Sequence, residues 1–232
     1  NVELIGIFKK TFTKTNKVVA WGYSAGGGIT QALAEQHPEL VDAVAIIDPV
    51  APVPAMQKLL MDALWLFKTY FDPTMKLTGY SAGIAGDLEA TGDIGKMYSI
   101  LASVGANMST GKWPATSSAS GKALEAGGVP SRSAMLLCAL LVGVPVQSTS
   151  YDNISGPEGA QKLALPLVVS PALASLENFG LALTSGLSMA REWDAKFGAN
   201  WYDNTKTNFA DQLSESDRVI YNAALSGNSV ID

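Results

Sequence analysis

The chain has 232 residues, 47% of them hydrophobic and 16% charged, enough for one sizeable domain or one domain with an inserted subdomain, and unlike a disordered or fibrous protein. Its 21 acidic and 16 basic residues give a net charge of −5 without any long run of like charges, which argues against nucleic acid as a partner. Cys138 is the single cysteine, so an intrachain disulfide is excluded, and its apolar surroundings read as a site for a buried thiol.

From the N-terminus, Val2, Leu4, Ile5, Ile7, Phe8 and Phe12 are spaced as on an amphipathic helix over residues 1–14, with Lys9, Lys10 and Lys14 toward its negative end. No basic and apolar leader pattern precedes it, so any targeting peptide is removed or was never there, and the compartment is not legible. The run Lys17-Val18-Val19-Ala20-Trp21-Gly22 reads as a short buried parallel strand ending at glycine. A glycine-rich turn follows, then Ile29, Ala32 and Leu33 at helical spacing until His37-Pro38 stops the helix, because a residue before proline is pushed out of the α region. Residues 41–47 read as a second buried strand closing on Asp48-Pro49.

Helix, strand, turn, helix, strand is the alternation that builds a doubly wound, mostly parallel sheet. After Pro49 the rhythm changes. Met56, Leu60, Leu64, Phe67 and Phe71 form one helical stripe, with packing against the sheet as the expected use and a lid facing lipid or an acyl chain as the alternative for the stripe including Trp65 and Phe67. A Ser-, Gly- and Thr-rich loop is expected over 104–123. The apolar run 134–146 then reads as a core or cap helix, too short to span a bilayer and interrupted by Gly143 and Pro145. Residues 163–169 form a candidate third strand, although Pro166 weakens it. The remainder, from 170, reads as mostly helical, with Ser214 or Ser216 capping the last helix. The organisation this suggests is a core segment over 1–52, a helical cap inserted over 53–160 and a return to the core over 161–232.

The chemistry-bearing motif is Gly22-Tyr23-Ser24-Ala25-Gly26, a G-x-S-x-G between a strand and a helix, which is the setting of a nucleophile elbow. In such a turn the serine takes a strained backbone, and the glycines two before and two after it let strand and helix approach closely. Ser24 Oγ would stand at the carboxyl edge of the sheet near the positive end of the helix. The Ala25 N–H would serve as one oxyanion donor, a contact worth roughly 3–4 kcal/mol of transition-state stabilisation.

With these residues in view, positions 1–50 resemble the middle of an α/β-hydrolase of the serine esterase and lipase kind, and Glu35-Gln36-His37-Pro38-Glu39-Leu40-Val41 is similar to the helix-to-strand passage of many such enzymes. The resemblance covers about a fifth of the chain. It implies a catalytic order of serine, acid, then histidine. Ile47-Asp48-Pro49-Val50-Ala51-Pro52 resembles the segment where pancreatic-type lipases hold their acid, making Asp48 the candidate, with a simple Asp-Pro turn as the alternative. One strand later, where most relatives place the acid, only Glu177 and Asp194 are available; Asp203 and Asp217 read as surface residues.

The sole histidine, His37, lies thirteen positions after Ser24 at the far end of a helix, out of reach for proton transfer. Three explanations stand. The chain is a fragment or processed piece whose histidine and opening strands lie on a companion chain; it is a noncatalytic relative; or another base, such as a lysine, serves. The first is favoured, because the chain begins inside the helix expected before the nucleophile strand, so both ends of the fold are missing together. The expected sheet is therefore incomplete. The expected activity is hydrolysis of small-molecule or lipid-like carboxylic esters through Ser24, against the alternative of a binding or scaffold protein on a degenerate hydrolase fold. No metal-ligand spacing and no phosphate loop occurs, so no cofactor is expected.

Overall fold

A computed structural model describes residues 2–49, 53–108, 114–142 and 174–226, and the chain divides into two compact units, Asn1–Met56 and Gln57–Asp232. In the first, helix α1 (Val2–Thr11) has Glu3 in its first turn and Lys9 and Lys10 in its last, so its charges oppose the helix dipole at both ends. Strand β1 (Val19–Tyr23), helix α2 (Ala25–Gln36) and strand β2 (Ala43–Ile47) form a β-α-β unit in which β1 and β2 pair in parallel, with Val19 opposite Ala43 and Tyr23 opposite Ile47. The starts of the two strands are tied together. Asp42 accepts the Val18 N–H at 2.8 Å and the Lys17 ammonium at 3.0 Å, and its own N–H donates to Val18 O. The Val18 bond, with the Lys17 bond second, holds the Asp42 carboxyl below the usual aspartate range.

One expectation fails here. The two strands were expected to be buried on both faces, yet only the face toward α2 is covered, where Gly22, Gly27, Thr30 and Leu33 are buried. Alternation along the strand sends Val19, Trp21 and Tyr23 to the opposite face, where Trp21 is 72% and Tyr23 62% exposed. The apolar run shows that a partner surface is called for, but not whether one is present. The described sheet is a two-stranded parallel pair, and the candidate third strand at 163–169 lies outside the described residues.

The second unit is helical: α3 (Val53–Tyr70, whose first turn lies before the division), α4 (Ile84–Met108), α5 (Ala119–Ala126), α6 (Ser131–Val142), α7 (Ala174–Phe197) and α8 (Glu215–Leu225). The helical stripe expected on α3 is present, with Leu60, Leu64 and Phe67 buried, while Trp65 stacks on Phe209 with ring centroids 5.8 Å apart. The loop expected over 104–123 is shorter than anticipated: α4 runs to Met108 and α5 begins at Ala119. Helix α4 packs along α7, where a Cβ on Gly180 would lie 2.7 Å from the Tyr98 ring, so a glycine permits the close approach. Helix α6 packs against both α7 and α8. Cys138, on α6, is fully buried with Sγ 3.4 Å from Ala63 O, and burial pushes its thiol pKa up. Ser214 is the residue that caps α8, accepting the Asp217 N–H at 3.1 Å.

Buried carboxylates tie the connections to this core. Asp93 accepts from the backbone N–H groups of Lys76 and Leu77, the Tyr80 hydroxyl and the Lys96 ammonium, and Asp194 accepts from Tyr80 N–H and Trp201 Nε1. Asp62, with no exposed surface, accepts from Lys58, Tyr202 and Gln212. Ser117 and Ser118 donate their hydroxyls to the Phe71 and Thr69 carbonyls, satisfying acceptors at and just past the end of α3 that helix geometry leaves open.

Candidate active site

Ser24 joins β1 to α2 at φ 54°, ψ −120°, a backbone region costly for any residue with a Cβ. Two backbone bonds hold it there. Its N–H donates to Ile47 O, the last carbonyl of β2, at 3.0 Å, and its carbonyl accepts the Gly28 N–H at 3.2 Å. A serine at a helix N-cap ordinarily spends its hydroxyl on a backbone N–H, but Ser24 makes no such side-chain bond. The hydroxyl is therefore not consumed by the helix, and the residue is half-buried rather than enclosed. Ala25 is exposed at the first position of α2, where helix geometry leaves an N–H without an internal partner.

The turn is possible only because of its glycines, though not the two the motif names. A Cβ on Gly22 would collide with the Gly26 carbonyl, so the strand can meet the helix only with glycine there. A Cβ on Gly26 would meet nothing within 4 Å, which corrects the expectation that the second motif glycine serves close approach. That role falls on Gly27. A Cβ there would lie 2.9 Å from Ile47 O, 3.0 Å from Pro49 Cα and 3.3 Å from Gly22 O, all backbone atoms. The repeated glycines at 26–28 signalled freedom in the turn without showing which of them is used.

Because Tyr23 pairs with Ile47, the next residues, Ser24 and Asp48, leave neighbouring strands at the same carboxyl edge, where parallel strands lie about 4.8 Å apart. Asp48 also has a positive φ, of 42°, and is exposed. The other acids considered from the sequence are placed otherwise. Asp194 is engaged by Tyr80 and Trp201 in the second unit, Asp203 is exposed with one carboxyl oxygen on the Thr205 N–H, and Asp217 is half-buried on the Ser214 cap. The Glu177 side chain lies outside the described ones.

His37 caps the carboxyl end of α2, its N–H on Leu33 O, with Nδ1 3.5 Å from Glu39 Oε1. Twelve helical residues at about 1.5 Å each put it about 18 Å along the axis from Ser24. A cavity of about 330 Å³ opens at the amino edge of the strands, the edge away from Ser24, but its charged lining is already paired, Lys17 with Asp42 and Lys9 with Leu40 O. Among the described residues no group of three or more His, Cys, Asp or Glu is placed to hold a metal ion, and no helix is long and apolar enough to cross a membrane.

Residues 7–77 match the family model described as alpha/beta hydrolase fold, a span that takes in the second half of α1, the elbow, α2, both strands, and α3 with the start of the loop after it. No curated protein and no solved structure matches the chain.

Proposed function

We propose that this chain, whose residues 7–77 match the alpha/beta hydrolase fold family model, is a serine hydrolase of carboxylic esters with Ser24 as its nucleophile. The observation that carries the reading is the Ser24 backbone, strained at a strand-to-helix junction and holding a hydroxyl that makes no capping bond. Strain of this kind persists only where neighbouring structure over-determines it, and it clusters at functional sites.

In the proposed reaction, Ser24 Oγ attacks the ester carbonyl carbon while a base takes its proton. The tetrahedral oxyanion rests on the Ala25 N–H at the positive end of α2. Collapse expels the alcohol, which receives the proton, and leaves an acyl-Ser24 ester that water then cleaves by the same steps. Asp48 is the acid that orients the base. With His37 at the other end of α2, the base is a histidine supplied from outside this chain, by a companion that also completes the sheet. The bare apolar face carrying Trp21 and Tyr23 supports that assignment, since surfaces of this kind are sites of association. Residues 53–160 are read as the cap and 161–232 as the return to the core, and an apolar cap suits an acyl or aromatic substrate of small-molecule or lipid-like type.

The position of the sole histidine also favours a second reading, a binding or scaffold protein on a degenerate hydrolase fold. Fluorophosphonate labelling of the full chain in its native assembly, with the labelled peptide mapped, separates the two. The hydrolase reading expects the label on Ser24 and its loss in Ser24→Ala; absence of label with a histidine-bearing companion present supports the scaffold.

A further inference from the structure

The end of β2 is seated on the elbow by an empty space. Gly27, one residue past the motif, is buried, and the atoms nearest the position of its missing Cβ are Ile47 O and Pro49 Cα, the backbone on either side of Asp48. Ile47 O is also the acceptor of the Ser24 N–H. The same short contact thus touches both strand ends, each of which finishes in a non-glycine residue at positive φ, Ser24 at 54° and Asp48 at 42°. A side chain at 27 would meet backbone atoms, which cannot rotate away, so the β2 end or α2 would have to move.

We infer that Gly27 is a positioning residue: the room left by its absent side chain lets the end of β2 lock onto the elbow, and this lock couples the placement of Asp48 to that of Ser24. Its catalytic consequence rests on the hydrolase reading, whereas the lock itself does not. The neighbouring glycine is the natural comparison, because a Cβ at Gly26 enters open space. The motif glycine is replaceable without disturbing the lock, and the glycine outside the motif is not.

Two measurements on the full chain test this. The first is residue-resolved hydrogen exchange of the Ser24 amide. Gly27→Ala is expected to speed exchange at Ser24 at least about tenfold, as expected when a backbone hydrogen bond is weakened, and Gly26→Ala to leave it at the wild-type rate. Unchanged exchange in Gly27→Ala, or equal acceleration in Gly26→Ala, overturns the inference; the second result also covers a Gly27→Ala variant that fails to fold. The second measurement is fluorophosphonate labelling of Ser24 stimulated by added imidazole in place of the histidine. Gly27→Ala and Asp48→Asn are each expected to slow it about tenfold, and the double variant to be no slower than either single one, the non-additive pattern of residues acting through one another. Additive slowing would make Gly27 merely structural. A wild type that takes no label under any condition rejects the hydrolase reading, while the exchange result still decides the lock.

Discussion

The two units divide the buried core and the strained serine between them. In Gln57–Asp232 the interior is dense: Met61, Leu64, Phe67, Met97, Leu183 and Leu187 are fully enclosed, and the buried Asp62 is held by named partners, Lys58 and Tyr202 among them. In Asn1–Met56 only Gly22, Gly27, Thr30 and Leu33 are buried among the described residues, yet that unit holds the strained serine. The comparison teaches that motif and core need not coincide. Strain at Ser24 is held by backbone bonds and glycine contacts rather than by a large apolar interior.

The largest expected effect separates the two cleanly. Ser24→Gly removes the proposed nucleophile and should cut acylation by at least about 10³-fold, as loss of an attacking serine does elsewhere. The same change should raise stability by about 1 kcal/mol, because glycine accepts φ 54° without a penalty. Paired acylation and urea-denaturation measurements check both signs, and a loss of stability would break the account of strain. Next in size, Phe67→Ala should cost about 3–5 kcal/mol of unfolding free energy by opening a cavity in the second unit, measured by denaturant titration.

Asp62→Ala should cost about 2–3 kcal/mol, since Tyr202 and Gln212 lose their acceptor. Lys58, already half-exposed, turns to water, so the loss stays below that of a fully buried pair. The smallest effect concerns pH. Glu89 accepts from Lys76 Nζ and from the Ser81 N–H and hydroxyl, and these bonds, the Lys76 one foremost, hold its carboxyl at about 2 rather than 4.5. A depressed folded value gives a contribution complete above the unfolded one. Attachment of the loop around Ser81 should therefore be intact above about pH 5 and be lost progressively as pH falls from 4.5 toward 2. Hydrogen exchange at the Ser81 amide measures it, and Glu89→Gln should flatten the dependence.

The elbow was legible because its signal is local: a β-branched run, a glycine at the right spacing, then helical periodicity, all within residues 17–36. The uncovered strand face was not, because an apolar run looks the same whether its second partner surface is present or absent. Helix α4 escaped notice for another reason. Gly86, Gly92 and Gly95 lie within it and dilute the apolar stripe, and it gains its order from packing on α7. Asp62, Asp93 and Asp194 are single acids without sequence context, and their roles exist only once distant segments meet. Gly27 is the instructive miss, since three successive glycines conceal that one of them is packed against backbone while its neighbour is free.

The most direct measurement is the site of acylation. The full chain is incubated with a p-nitrophenyl ester and imidazole, quenched, digested and mapped by mass spectrometry. The account predicts one acyl group per chain on the peptide bearing Ser24, absent from Ser24→Gly. Acylation elsewhere, or none above the level of the variant, would contradict it.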